Sequence, residues 1–451
     1  MTSLGGAPAS GGQAVVIGAS IAGLLAACAL TDRFAQIIVI DRDILPAAPE
    51  TRRGVPQSRQ AHGLLARGAE VLDELLPGFF SEMIAAGAAY GDSQGDFRWY
   101  LDGYLMRQAT SGLTGVALTR PLIEHLIRAR ADCLPGLRIA DSTEAVGLVT
   151  EAGRVTGVRV RRTSDGTASV IAADLVVDAA GRGSRAPLWL EESGYPKPRT
   201  SEVRTDVVYV TRHYRREPEH LDGRLGATFV PYPGQKRAAV VLRQEDDQFV
   251  VVLAGMLGEE PPTDDEGMLA FAESLSGPDA AEVIRSAKPL DDPARMRYPA
   301  SQRQHYEKLD RYLGGFIVTG DALCSFNPIY GQGMTVAALE ALTLRRLVAE
   351  GTGDLPRRFF RAASKDIDVP WTLAVGGDLR FPQVEAKRQP GDGLVNRYLE
   401  RYRAAASVDP VLGLTFLRVA NLIDPAARLL SPGHMIRVFR SAKKAARYSR
   451  T

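Results

Sequence analysis

The sequence predicts an α/β protein, in which a domain built on a parallel sheet is joined to one built on an antiparallel sheet and followed by a helical C-terminal region. Three observations point there. The chain opens with an apolar strand, a glycine-spaced turn and an apolar helix that runs into a second apolar strand. Alternating or continuous apolar runs crowd between about Val203 and Met256. The last hundred or so residues carry helical rather than strand periodicity.

At 451 residues, 45% of them hydrophobic, the chain can bury two or three packed units. Its 55 Lys+Arg against 53 Asp+Glu leave a formal charge of +2, too small a field to favour nucleic acid. Cys28, Cys133 and Cys324 are far apart and lack metal-ligand spacing, which suits a reducing, cytoplasmic compartment without a disulfide framework. The opening MTSLGGAPASGGQ lacks the basic segment of a secretory signal, so no cleaved targeting peptide is expected. The uncharged run from Ala14 to Leu30 has 17 residues, short for a membrane span, and a strand, turn and helix explain it better.

Taken in order, AVVIG is a buried strand, IAGLLAACAL a helix and AQIIVID a second strand, forming a β-α-β unit of Rossmann type. TRRGVPQSRQAHG is a polar, basic, turn-rich link, followed by an amphipathic helix from about Leu64 to Leu76. TRPLIEHLIRARADCL restores a helical period, with Pro121 in a first turn where its missing N–H costs little. TEAVGLVTEAGRVTGVRVRR resembles a hairpin, and DLVVDAA is a buried strand running into GRGSR. DVVYVTRHY, RAAVVLRQ and FVVVLAG suggest the antiparallel sheet, the candidate substrate domain. GGFIVTGDA is a further buried strand, and MTVAALEALTLRRLVAEG a helix ending near Gly351. This reading assigns 1–75, 110–195 and 300–350 to a discontinuous nucleotide-binding domain, 76–109 and 196–299 to the substrate domain, and 351–451 to the helical region.

Gly18-Ala19-Ser20-Ile21-Ala22-Gly23 follows a strand and opens a helix, the arrangement that brings backbone N–H groups and a helix dipole against a pyrophosphate. Ser20 stands where the middle glycine of the usual fingerprint would be. Asp41, with Arg42 beside it, ends the next strand 23 residues after Gly18, where a carboxylate meets a ribose hydroxyl. A dinucleotide site explains this combination better than a tight structural turn.

With Gly320-Asp321 after the strand FIVT and before NPIYGQGM, the sequence resembles the flavin monooxygenases that include para-hydroxybenzoate hydroxylase and squalene epoxidase. The resemblance implies FAD, with Asp321 on its ribityl chain and Pro328, Gly331 and Gly333 beside the isoalloxazine. The helix beginning near Met334 would direct its positive end toward the flavin N1 and O2 edge and stabilise the anionic reduced flavin. Arg120 matches an arginine that contacts the flavin phosphates or ribityl chain, and Arg53, Arg59, His62 and Val146 complete the expected cofactor set. Asp178-Ala179-Ala180-Gly181-Arg182-Gly183-Ser184-Arg185 departs from the family pattern in placing Ala180 at the usual aspartate. That departure leaves two routes for electrons from NAD(P)H, directly or through a separate flavin reductase.

RRGVPQSRQAHGLL, the Gly181–Arg185 run and GDALCSFNPIYGQGM together resemble the bacterial flavin epoxidases that act on polyene precursors of polyether natural products, over roughly residues 13 to 350. This resemblance implies delivery of one oxygen of O2, through a flavin C4a-hydroperoxide, to an alkene of a small apolar polyketide or isoprenoid-like substrate. The alternatives are hydroxylation of an electron-rich ring, flavin-dependent reduction of an alkene, and a catalytically silent flavoprotein. Trp99, Trp189 and Trp371 are isolated, so the WxWxIP signature of flavin-dependent halogenases is absent.

Tyr209, Thr211 and His213 alternate on one face of a strand and are candidates for the substrate cavity, although inward packing explains alternation equally well. No catalytic acid or base stands out in the sequence. His125 and His305 lack accompanying ligands, so no catalytic metal is expected, and Ser20 and Ser184 belong to nucleotide loops rather than to a hydrolytic elbow. The closing SPGHMIRVFRSAKKAARYSRT carries six Arg or Lys and no acidic residue. It reads as a solvated terminal helix covering the domain, with contact to an anionic membrane as the alternative.

Overall fold

The computed structural model describes residues 11–385, 388 and 390–448; the first ten residues and the last three, which end the basic segment, lie outside the described residues. Gln13–Ile17, Gln36–Ile40 and Leu175–Asp178 pair in parallel at the centre of a five-stranded sheet, with Leu137–Ala140 and Phe316–Val318 at its edges. These strands are short and nearly all apolar because a parallel sheet is covered rather than solvated. Helices Ile21–Leu30 and Gly333–Ala349 pack together on this unit, and Leu148, Val158 and Val160 of a three-stranded antiparallel sheet share its core.

The second unit is an eight-stranded, mainly antiparallel sheet centred on Thr200–Arg215, Gln248–Gly255 and Arg237–Gln244. Strand alternation divides its side chains cleanly. Val210, Val241, Val251 and Leu253 pack with helices Asp265–Glu273 and Asp279–Ser286, whereas Tyr209, Leu242, Val252 and Ala254 form the core of the other face.

Domain boundaries move accordingly. Phe79 and Met83, on helix Phe79–Ala85, are buried in the core of the parallel sheet, so this segment packs there and not with the eight-stranded sheet. Ala294–Gln304 and Cys324–Ser325 pair into the eight-stranded sheet, which therefore runs past residue 299. Apolar packing and strand pairing, not sequence order, decide membership.

Helix Leu355–Asp378 buries Phe359, Phe360 and Ile367 against the first core. Helices Asp392–Ala406, Pro410–Ala420 and Pro432–Tyr448 build a separate core around Tyr402, Leu412, Val419 and Val438. On the last helix Val438 is buried, whereas Met435, Ile436 and Phe439 are exposed. Among the described residues no helix is long and apolar enough to cross a membrane.

Candidate functional site

The turn after the first strand is held under close contact. Gly18 adopts φ +102°, and a Cβ on Gly23 would stand 1.8 Å from the Gly18 carbonyl oxygen. Only glycine at both places lets helix Ile21–Leu30 start this close to the strand, with its first amides free of intrahelical acceptors. Ala19 and Gly23 are packed rather than lining: Ala19 gives its amide to Asp41 Oδ2 at 2.8 Å. Gly18, Ser20, Ala22, Asp41 and Arg42 line a cavity of about 640 Å³.

Ser20 in place of glycine has a partner network of its own. Its hydroxyl donates to Glu124 Oε2 at 2.7 Å and accepts from Arg120 Nη2 at 2.8 Å. Arg52 donates to Glu124 Oε1 at 2.7 Å, to Asp43 at 2.9 Å and to Asp41 at 3.3 Å, and its side chain is 7% exposed. Arg52 rather than Arg53 therefore belongs to the cavity wall; Arg53 and Arg59 are exposed and stand outside it. Neighbouring arginines in a turn point in different directions, and nothing in the local sequence says which one finds the carboxylates.

The return of the chain supplies the opposite wall. Asp321, Pro328, Gly331, Gly333 and Met334 all line the same cavity, as do His62, Arg120 and Arg182. Burial raises Asp321 above the ordinary carboxylate value, opposed by Arg120 and Arg182. The turn carrying Asp321 is held by Glu340, whose Oε2 accepts the Gly320 amide at 2.7 Å and the Thr319 hydroxyl, and burial pushes Glu340 up to about 8. Arg182 donates to the Ala300 carbonyl at 2.8 Å and to the Ser325 hydroxyl, with its guanidinium 4.6 Å from the Tyr298 ring centroid. Ala180, at the departure from the family pattern, gives its amide to buried Asp178 at 2.8 Å. His62 Nδ1 faces the Gln60 carbonyl at 2.8 Å, so that nitrogen carries the hydrogen. Burial, reinforced by Arg120, lowers His62 to about 3 and keeps the ring neutral.

Val146 is outside the cavity lining, which takes in the start of its strand at Thr143, Glu144 and Ala145 and goes no further along it. The three strand candidates separate in the same way. Tyr209 lines a second cavity, of about 180 Å³, and donates to Asn327 Oδ1 at 3.0 Å. Thr211 lines neither cavity but donates to Gln60 Oε1 at 2.8 Å, steadying a residue that lines both. His213 lies away from both and is held by Asp291, 2.7 Å from its Nδ1. Alternation put these residues on one face, but the cavity reaches only its near end.

The two cavities share Gln60, Ala61, Gly63, Pro328 and Gly331. Between them the turn Pro328–Tyr330 is tied at both ends to one carboxylate: Asp378 Oδ1 accepts from Tyr330 at 2.9 Å and from Asn327 Nδ2 at 3.2 Å. Asp378 closes the long helix of the C-terminal region, and a Cβ on Gly377 would stand 2.3 Å from the Tyr330 hydroxyl. Burial pushes Asp378 up to about 7. Asp378 carried no recognisable signal in the sequence, and Asn327, though it opens the quoted NPIYGQGM, had no role assigned, because both roles arise from contacts 48 and 51 residues apart.

The larger cavity fits FAD on two observations. Among the described residues nothing lies within 4 Å of where a Cβ on Gly331 or Gly333 would stand, leaving an open cradle at the start of helix Gly333–Ala349. The nucleotide turn presents a second helix N-terminus to the same space, as a bound pyrophosphate requires.

The sequence profile described as FAD binding domain matches residues 12–354. The chain is 36% identical over 439 residues to Protein Rv3254 of Mycobacterium tuberculosis, covering 91% of this chain and 90% of that protein. Its fold is similar to that of a flavoprotein/dehydrogenase from Cytophaga hutchinsonii, with a TM-score of 0.68 and 17% identity over 98% of this chain and 100% of the other. PqsL of Pseudomonas aeruginosa, described as "a probable FAD-dependent monooxygenase", gives 0.60 and 17% over 82% and 98%. The flavin-dependent brominase Bmp2 gives 0.63 and 14% over 98% and 100%. Because the profile runs through all the segments that meet at the charged cavity, the chain belongs to the FAD-binding-domain family, and it shares its fold with these flavoproteins.

Proposed function

We propose that this protein is an FAD-dependent monooxygenase that transfers one oxygen atom of O2 to an alkene of an apolar substrate, forming an epoxide. The observation that carries this reading is the shared wall: Gln60, Ala61, Gly63, Pro328 and Gly331 border both the charged cavity and the apolar one. When bound, reduced FAD supplies the activation of O2, the difficult part of the chemistry.

The residues of this chain hold and orient. Gly18, Ser20 and Ala22 would receive the pyrophosphate, Asp41 the ribose and Asp321 the ribityl chain, with Arg42, Arg52 and Arg120 balancing charge. The N-terminus of helix Gly333–Ala349 would face the isoalloxazine and favour negative charge there. His62, held neutral, contributes no cation. Tyr209 and Tyr330 are fixed by Asn327 and Asp378 at the wall where a substrate would meet the flavin, so positioning and exclusion of water are the protein's contributions. Electrons come from NAD(P)H, directly or through a separate flavin reductase.

The test is turnover of the FAD-loaded protein with a chemical reductant, apolar alkenes and isotopically labelled O2. Label in an epoxide supports the reading; label in a phenol, with arenes as substrates, moves it to aromatic hydroxylation, for which the same apolar cavity would serve. A saturated product without label identifies an alkene reductase and overturns it.

A further inference from the structure

The smaller cavity differs sharply from its neighbour in charge. The 640 Å³ cavity is lined by Asp41, Arg42, Arg52, Arg120, Arg182 and Asp321 among others. Among the described residues lining the 180 Å³ cavity there is no Asp, Glu, Lys, Arg or His. Its walls are dominated by side chains such as Leu64, Phe97, Trp99, Val240, Leu242 and Ile329.

Several of the polar hydrogens at its edge are already committed. Trp99 Nε1 donates to the Ser93 carbonyl at 2.7 Å, Tyr209 to Asn327 at 3.0 Å and Tyr330 to Asp378 at 2.9 Å. Asn421 is anchored by the Ala66 amide at 2.8 Å and the Leu417 carbonyl at 2.9 Å. Gln60, Ser93 and Thr228 add neutral polar atoms, of which Gln60 Oε1 accepts from Thr211. A carboxylate entering this space would lose its hydration and meet no cation, a penalty that buried charges avoid only by pairing. A hydrocarbon would lose nothing.

We infer that the cavity selects an uncharged hydrocarbon portion of the substrate and rejects a ring or short alkene that itself carries a carboxylate. Its volume, below the roughly 300 Å³ at which common small-molecule pockets begin, suits a single ring or a short branched alkene, with any longer part of the substrate lying outside. This assignment deepens the proposed function and rests on that reading for the identity of the cavity as the substrate site. It separates the chain from enzymes that would anchor an aromatic acid through an arginine.

The experiment compares 4-methylstyrene with 4-vinylbenzoate, which are similar in shape and both carry a vinyl group, as ligands of the oxidised, FAD-loaded protein at about pH 8. Binding is read from calorimetry and from the change in the visible flavin spectrum. The expected result is preference for 4-methylstyrene by a factor of roughly 100 or more. Leu242→Trp, which fills the cavity, should abolish that binding while FAD remains bound. Thr228→Arg, which places a cation in the wall, should narrow or invert the preference. Equal affinities, tighter binding of the benzoate, or no binding of either ligand to the wild-type protein would overturn the assignment without reference to either variant. Because the oxidised flavin turns nothing over, preference without labelled product would remove the monooxygenase reading and leave the cavity assignment standing. Labelled product without preference would do the reverse.

Discussion

Asp378→Asn changes a proton-binding site and little else in shape. Asp378 is 1% exposed, its Oδ1 accepts from Tyr330 and Asn327, and its Oδ2 has no partner among the described residues. Burial raises its pKa from the ordinary 3.8 to about 7, so the folded protein holds this proton more tightly than the unfolded chain does. Stability from this group is accordingly greatest below about pH 4, falls as pH rises toward 7 and stays low above it. At 1.36 kcal/mol per pH unit the full loss is roughly 4 kcal/mol. An asparagine keeps an oxygen for Tyr330 and Asn327 but puts an amide where Oδ2 finds no partner, a pH-independent cost of about 1–3 kcal/mol. The variant should therefore be the less stable protein near pH 4 and the more stable one near pH 8, with the crossing between roughly pH 4.5 and 6. Urea denaturation of both apoproteins across this range measures the difference and cancels the contribution of Glu340, which is raised in the same direction. Two parallel pH profiles separated by a constant offset would refute the reasoning.

Arg52→Ala should weaken FAD binding by roughly tenfold or more and lower stability by about 3–5 kcal/mol, because Asp41, Asp43 and Glu124 lose their common cation. Arg53→Ala, at an exposed position, should stay within about 0.5 kcal/mol, and the two melting curves with FAD titrations decide between the neighbours. Gly23→Ala and Gly333→Ala should part company in the same assays. The first drives a Cβ into the Gly18 carbonyl and costs about 1–3 kcal/mol or more even without cofactor, whereas the second meets nothing within 4 Å and should leave the apoprotein melting unchanged while weakening FAD. His62, lowered to about 3 by burial and Arg120, should show no imidazole titration by NMR between about pH 5 and 8, and a midpoint in that window would contradict its placement.

Much of the frame was legible because it depends on short-range chemistry. A strand, a glycine turn and a helix are neighbours in the chain, so Gly18, Ser20, Ala22 and Asp41 could be placed on the cavity from spacing, whereas Asp321, Gly331 and Gly333 came from the family resemblance of the second turn. The alternation of Thr200–Arg215 put Tyr209, Thr211 and His213 on one face, although that face extends beyond the cavity and only Tyr209 reaches it. Resemblance supplied the cofactor that these residues suit, and the profile over residues 12–354 bears it out.

What the sequence by itself determined is therefore the β-α-β frame, the glycines that close approach demands and the periodicity that separates the two sheets. The tertiary structure alone decided that Arg52 and not Arg53 meets three carboxylates, that Glu124 steadies Ser20, and that Asp378 ties down both ends of the wall between the cavities. The physical reason is that backbone geometry repeats over two to four residues and leaves a periodic trace. A buried charge is fixed by partners far along the chain, and whether it is paired depends on how the elements pack.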